Sequence, residues 1–174
     1  MKLSLQPHPA NPPRGVTGVT CTVVREAATL HLVYAITGDP DAVRLPPATL
    51  PARTDGLWQT TCLELFVAEA GTAYREFNFA PSGQWAAYGF TGRREGMAPL
   101  TMGTPPAIGI TMEAEAILVA VDLAEIGADT LRLGITVVIE EADGTKSYWA
   151  LRHGGDAPDF HDPDCFVAQL PPAD

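Results

Sequence analysis

WQTTCLELFVAEAGTAYREFNFAPSGQWAAYGF, running from Trp58 to Phe90, reads as three short strands joined by two tight connections. In its first run Cys62, Glu64 and Phe66 fall on one face and Leu63, Leu65 and Val67 on the other, the period-two spacing of a pleated strand. Ala73 to Ala80 forms the second strand. Pro81-Ser82-Gly83 turns the chain, and Gln84 to Phe90 makes the third. A three-strand antiparallel meander is the expected unit.

The same grammar extends in both directions. Upstream, Thr20 to Arg25 and Thr29 to Ile36 form a hairpin joined at Glu26-Ala27-Ala28, with Leu30, Leu32, Tyr34 and Ile36 on one face. Gly38 to Pro51 is rich in proline, which cannot donate to a ladder and so stays out of a sheet interior. Downstream, Gly92 to Pro106 is a loop, and Ala107 to Met112 pairs with Ala116 to Asp122. Asp122 to Gly127 reads as one helical turn ended by glycine. Leu131 to Glu141 is a long apolar strand, turned by Asp143-Gly144 into Lys146 to Leu151, and Cys165 to Leu170 is the last strand. No segment keeps helical apolar spacing over ten residues. Many short strands with frequent turns predict an all-β, antiparallel two-sheet β-sandwich occupying residues 1–174 as a single domain.

Composition narrows the function classes. The 174 residues hold sixteen Gly and sixteen Pro, which suits short elements and tight turns. A net charge of −10 argues against nucleic acid, whose phosphates must be met by clustered Lys and Arg, and against an anionic membrane. Met1 to Pro9 has no apolar core of a secretion signal as written, so a cytoplasmic location is expected, with a mature secreted form whose signal has been removed as the alternative. Cys21, Cys62 and Cys165 are odd in number and widely spaced, which predicts free thiols rather than a disulfide framework.

Motifs for catalysis are missing. No G-x-S-x-G elbow and no phosphate-binding glycine loop occur, and Cys62 lies mid-strand, where a thiol is normally buried and inert. A non-catalytic protein is expected. His153, Asp156, Asp159, His161, Asp162 and Asp164 crowd into twelve residues, which suits either a hard-metal site or a solvated loop. Their spacing does not match transition-metal sites. A structural calcium ion held by carboxylates and carbonyls is the better metal reading, though no EF-hand loop is present.

A carboxylate inside an apolar strand is costly to bury unless it is paired. Glu64 therefore calls for an Arg, a metal or a ligand, with Arg53, Arg75 and Arg152 as the candidate cations. Glu64 and Glu76 lie in neighbouring predicted strands, which permits paired-carboxylate hydrolysis without supporting it. Trp58, Trp85 and Trp149 each adjoin a polar residue, Gln59, Gln84 and Arg152 respectively. Flat rings flanked by amides and carboxylates make sugar-binding surfaces, although a strand Trp more often fills the core.

The runs Arg53 to Phe66, Tyr74 to Trp85, Ser147 to His153 and Pro158 to His161, with Trp58 six positions before Glu64, resemble the DOMON-like domains, relatives of the family 9 carbohydrate-binding modules. The resemblance spans roughly Leu30 to Leu170. It implies a β-sandwich with a ligand site on a sheet face or at its edge. On this resemblance Trp58 and Trp149 would stack on a sugar. Glu64 and Asn78 would hydrogen-bond to it, Arg53 or Arg152 would balance Glu64, and Trp85, His153 and His161 would lie nearby. The cytochrome relatives imply an alternative, haem b held by Met97 and His153. A third reading is an interaction domain whose aromatics are all core.

Overall fold

The computed structural model describes residues 1–111, 116–122 and 130–172, with the backbone alone in 116–122. Twelve strands run through it: β1 Lys2–Pro7, β2 Val16–Glu26, β3 Thr29–Gly38, β4 Cys62–Ala68, β5 Tyr74–Phe79, β6 Trp85–Phe90, β7 Ala98–Pro99, β8 Ala107–Thr111, β9 Ala116–Asp122, β10 Leu131–Glu140, β11 Lys146–Ala150 and β12 Ala168–Leu170. Every named pairing is antiparallel. The order is β7-β6-β5-β4-β10-β11-β1-β2-β3-β9-β8, with β12 beside β10. The expected all-β sandwich is thus the observed fold, and no described helix is long and apolar enough to cross a membrane.

β1 joins the two layers. Lys2 to Leu5 pair with β2, while Gln6 and Pro7 pair with β11. Its apolar alternation is only Leu3 and Leu5, too brief to be read as a strand; the strands on either side create it. The expected helical turn at 122–127 falls largely outside the described residues.

Alternation then builds the core. Val19, Cys21, Val23, Leu30, Leu32 and Tyr34 from one layer meet Leu63, Leu65, Phe77, Phe79, Ile135 and Val137 from the other. The Tyr34 hydroxyl crosses the core and donates to the Glu64 main-chain carbonyl at 3.1 Å. The three cysteines are free, as expected, and all are buried; burial pushes the Cys21 thiol up to about 12. The proline-rich segment runs along the outside, where Thr49 donates to Ser82 and Trp85 donates to Ala52 through their backbones.

The outer face of β4, β5, β6 and β10 is also buried. A strap following β11 (residues 151–167) lays Phe160, Cys165 and Phe166 over Phe66, Tyr74 and Phe90, and Leu57 from the 3-10 turn Leu57–Gln59 joins the same cluster. Phe166 stacks on Phe66 at 5.4 Å between centroids. This stack needs a glycine beneath it, because a Cβ on Gly134 would lie 2.6 Å from a Phe166 ring carbon. Gly134→Ala should therefore cost about 1–3 kcal/mol by forced overpacking. A urea melt will read it as a lower midpoint, and an unchanged midpoint would mean that the strap yields freely.

Candidate functional site: a polar cluster beneath the strap

Glu64 enters this buried outer face through the alternation of β4, and two rows of side chains cross the sheet there. One row is Ala86, Asn78, Glu64, Thr136 and Ala150, each opposite the next in register. The adjoining row is Tyr88, Glu76, Phe66 and Gly134. Glu64 and Glu76 are thus diagonal neighbours, roughly 7–8 Å apart along the backbone positions. Accessible surface falls to 3% for Glu64, 5% for Glu76, 1% for Asn78 and 0% for Thr136.

Hydrogen bonds satisfy part of this cluster. Thr136 Oγ1 donates to Glu64 Oε2 at 3.1 Å, and Asn78 Nδ2 donates to Glu76 Oε1 at 2.7 Å. The Cys62 thiol points at Asn78 Oδ1 at 3.8 Å. Arg94 donates its backbone N–H to the Tyr74 hydroxyl at 3.1 Å, and that hydroxyl lies 2.7 Å from His161 Nδ1. The Tyr74 hydroxyl thus links the Arg94 backbone to the His161 ring. Nε2 lies 3.7 Å from Glu76 Oε2, too far for a hydrogen bond.

Electrostatics keep the cluster neutral. Burial raises the Glu64 carboxyl well above its ordinary value, and the nearby Glu76 raises it further. Burial likewise raises Glu76, against the hydrogen bond from Asn78 and the attraction of Arg94. Burial and then the charge of Arg94 lower His161 to about 4, against an opposing pull from Asp159 and with a further push from Arg93. His161 and Glu76 are therefore not an ion pair at neutral pH. Burial holds the Cys62 thiol far above the range in which it would be a nucleophile.

The strap is fastened electrostatically. Arg93 reaches Asp159 at 2.6 Å and Asp162 at 3.1 Å, and Arg94 reaches Asp159 at 2.8 Å. Burial alone would raise Asp159, but the hydrogen bonds from both arginines outweigh it and lower the carboxyl. At the rim, Tyr88 donates to Asp55 at 2.6 Å and Arg53 lies 5.3 Å above the Tyr88 ring. Trp58, in the 3-10 turn packed on β4 and β5, remains 55% exposed.

The expected site residues separate into two groups. Glu64 and Asn78 lie beneath the strap and His161 faces Glu76 from it, with Arg53 over Tyr88 at the rim. Trp85 and Trp149 do not join them, because β6 and β11 turn both rings into the core between the layers, where they are 8% and 2% accessible. The Trp149 Nε1 donates to Ser147 Oγ at 2.9 Å, so this ring fills the core and is not placed to stack on a ligand at Glu64. The expected cations are engaged elsewhere: Arg53 with Asp55, Arg75 with Glu69 on the opposite face, and Arg152, at 4.0 Å, with Asp164.

No contact among the described residues joins the haem pair. Met97 precedes β7, whereas His153 donates Nε2 to the Gln6 carbonyl in β1 at 2.9 Å and packs on His8. The acidic C-terminal loop holds no metal cluster either. Asp159 and Asp162 face Arg93 and Arg94, and no group of three or more His, Cys, Asp or Glu suited to a metal occurs among the described residues.

Glu76, Thr136, Tyr74, Tyr88 and Arg94 complete the site without having been singled out as ligand contacts. Tyr74 and Glu76 could have been added from their alternation with Asn78. Thr136 and Arg94 could not, because a non-local pairing and a turn bring them in.

No known family model matches the chain, and no curated protein matches it in sequence. In fold it is similar to the crystal structure of a protein from Bacteroides uniformis ATCC 8492, provisionally described as carbohydrate-binding. The TM-score is 0.72 at 15% identity, covering 96% of this chain and 84% of that one. A likeness at that identity establishes the fold.

The buried acids and the imidazole pull stability in opposite directions with pH. Glu64 and Glu76 hold their protons to higher pH folded than unfolded, so their contribution is full below the ordinary carboxyl value of 4.5 and is lost as pH rises through the raised folded values. His161, lowered from 6.5 to about 4, contributes stability above 6.5 that is lost as pH falls toward 4. Glu64→Gln isolates the first effect. Relative to the unmodified protein, its unfolding free energy should improve steadily in urea melts as pH rises above the ordinary carboxyl value of 4.5. A pH-independent difference would contradict a neutral buried Glu64.

Proposed function

We propose that this chain is a non-catalytic ligand-binding module whose ligand is a carbohydrate, and that residues 1–174 form one DOMON-like domain related to the family 9 carbohydrate-binding modules. The observation that carries the reading is Glu64 itself: a buried carboxyl bonded to Thr136 and set in one row with Asn78, on strands against which the turn carrying the exposed Trp58 packs. Apolar walls with a few convergent polar groups are the general recipe of a small-ligand site. The fold likeness to a protein provisionally described as carbohydrate-binding supports the same direction. A non-catalytic role is supported by a Cys62 thiol that burial keeps protonated and a His161 held neutral and bonded to Tyr74.

Trp58 reports on binding, since Trp85 and Trp149 are sealed in the core. Titration with a panel of mono- and oligosaccharides should shift or quench its fluorescence. Trp58→Ala should abolish the signal with the fold intact, and Glu64→Ala should weaken binding roughly tenfold or more, the loss of a central contact. A flat response across the panel, confirmed by calorimetry, would sink the carbohydrate reading and leave an interaction domain.

A further inference from the structure

The strap is tied down at its two ends by different chemistry. Its trailing end is held by the ion pairs of Arg93 and Arg94 with Asp159 and Asp162. Its leading end is held by two imidazoles. His153 Nε2 lies 2.9 Å from the Gln6 carbonyl in β1. A carbonyl only accepts, so Nε2 carries the proton and Nδ1 is bare in the neutral ring. That Nδ1 is buried and has no hydrogen-bond partner among the described residues. His8 makes the second tie: its Nδ1 accepts the Ala10 N–H at 3.2 Å, and its Nε2 therefore donates to the Gly155 carbonyl at 3.1 Å. The two rings meet edge-on, 4.7 Å between centroids.

The receiving side is fixed without His153. Gln6 pairs with Ala150 in the sheet, and the His8 backbone donates to the Tyr148 carbonyl at 2.8 Å. Among titratable and charged groups, His8 is the one in contact with His153 from the β1 side. Tyr148 of β11 packs on Phe160, whose ring also meets His153. Within the strap Arg152 is paired with Asp164, Asp156 is exposed, and Asp159 and Asp162 belong to the arginines. No ion pair joins a carboxylate to His153 among the described residues. A proton on Nδ1 would therefore be a buried N–H with no acceptor, and its charge would lie against a second imidazole.

We propose that His153 is an acid-released catch: protonation at Nδ1 frees residues 151–158 from β1, while the arginine latch keeps the rest of the strap on the sheet. The proposal concerns the cover alone and does not depend on the carbohydrate reading. Burial lowers the His153 imidazole below its ordinary 6.5, against the hydrogen bond to Gln6 and with a further push from His8. A lowered folded value means that the catch contributes stability above pH 6.5, which is lost as pH falls toward that value. Burial would raise the Asp159 carboxyl, but its bonds to both arginines carry it below the ordinary 3.8, so the latch is still ionised when His153 titrates.

Nuclear magnetic resonance on the intact chain tests this from about pH 8 down to about pH 5, the span over which histidine changes charge. Contacts between the His8 and His153 rings should vanish with a midpoint shared by the His153 ring titration. Over the same range backbone order parameters in 151–157 should fall from about 0.85 to below about 0.6, while those of 159–166 and of β4 hold. His153→Gln keeps an N–H donor for Gln6 but takes up no proton, so its leading turn should be equally ordered at both ends of the range. Should that variant fail to fold, the shared midpoint in the unmodified chain decides. Ring contacts and order that persist across the range overturn the proposal. So does a loss of order that survives in His153→Gln, which would assign the effect to another group, His161 first, or one that spreads through the whole chain at once.

Discussion

Everything distinctive about this protein follows from β4 being buried on both faces. Leu63, Leu65 and Val67 close the core between the layers, while Cys62, Glu64 and Phe66 are covered by the strap and the 3-10 turn. A strand on one exposed sheet face could carry Glu64 at no cost. Under a roof, the same residue must be neutral, bonded or matched by a ligand.

The roof is held by two kinds of force. Phe166 stacks on Phe66, and His161 packs edge-on against Phe66 and Phe90, so the strap buries apolar surface. Arg93 and Arg94 then fix its position through Asp159 and Asp162, in partly exposed pairs whose contribution is modest and sensitive to salt. Arg94 adopts a left-handed backbone with φ of 59°, an uncommon conformation for a side-chain-bearing residue. From there its N–H reaches Tyr74, so the turn that latches the strap also orients the His161 imidazole.

The Trp residues illustrate how strand parity outranks residue type. Trp85 and Trp149 had polar sequence neighbours, yet neighbours in a strand point to the opposite face. Gln84 and Arg152 therefore said nothing about where the rings went. Trp58 escapes this rule because it sits in a 3-10 turn rather than in the strand that its apolar neighbours suggested.

Sequence alone determined the strands of the meander, the Asp143-Gly144 turn, the buried Cys62 thiol and the anomaly of Glu64, because these depend on alternation, turn chemistry and desolvation, all local. It could not reveal β1, whose pairing partners lie in two layers, nor the partnership of Glu64 with Thr136, set by the register of β4 against β10. The acidic C-terminal loop read as a metal site or a solvated loop. Only tertiary structure made it a strap, because the arginines that neutralise it lie more than sixty residues earlier in the chain. Burial of Glu64 was legible from its own strand; what covers it was written elsewhere.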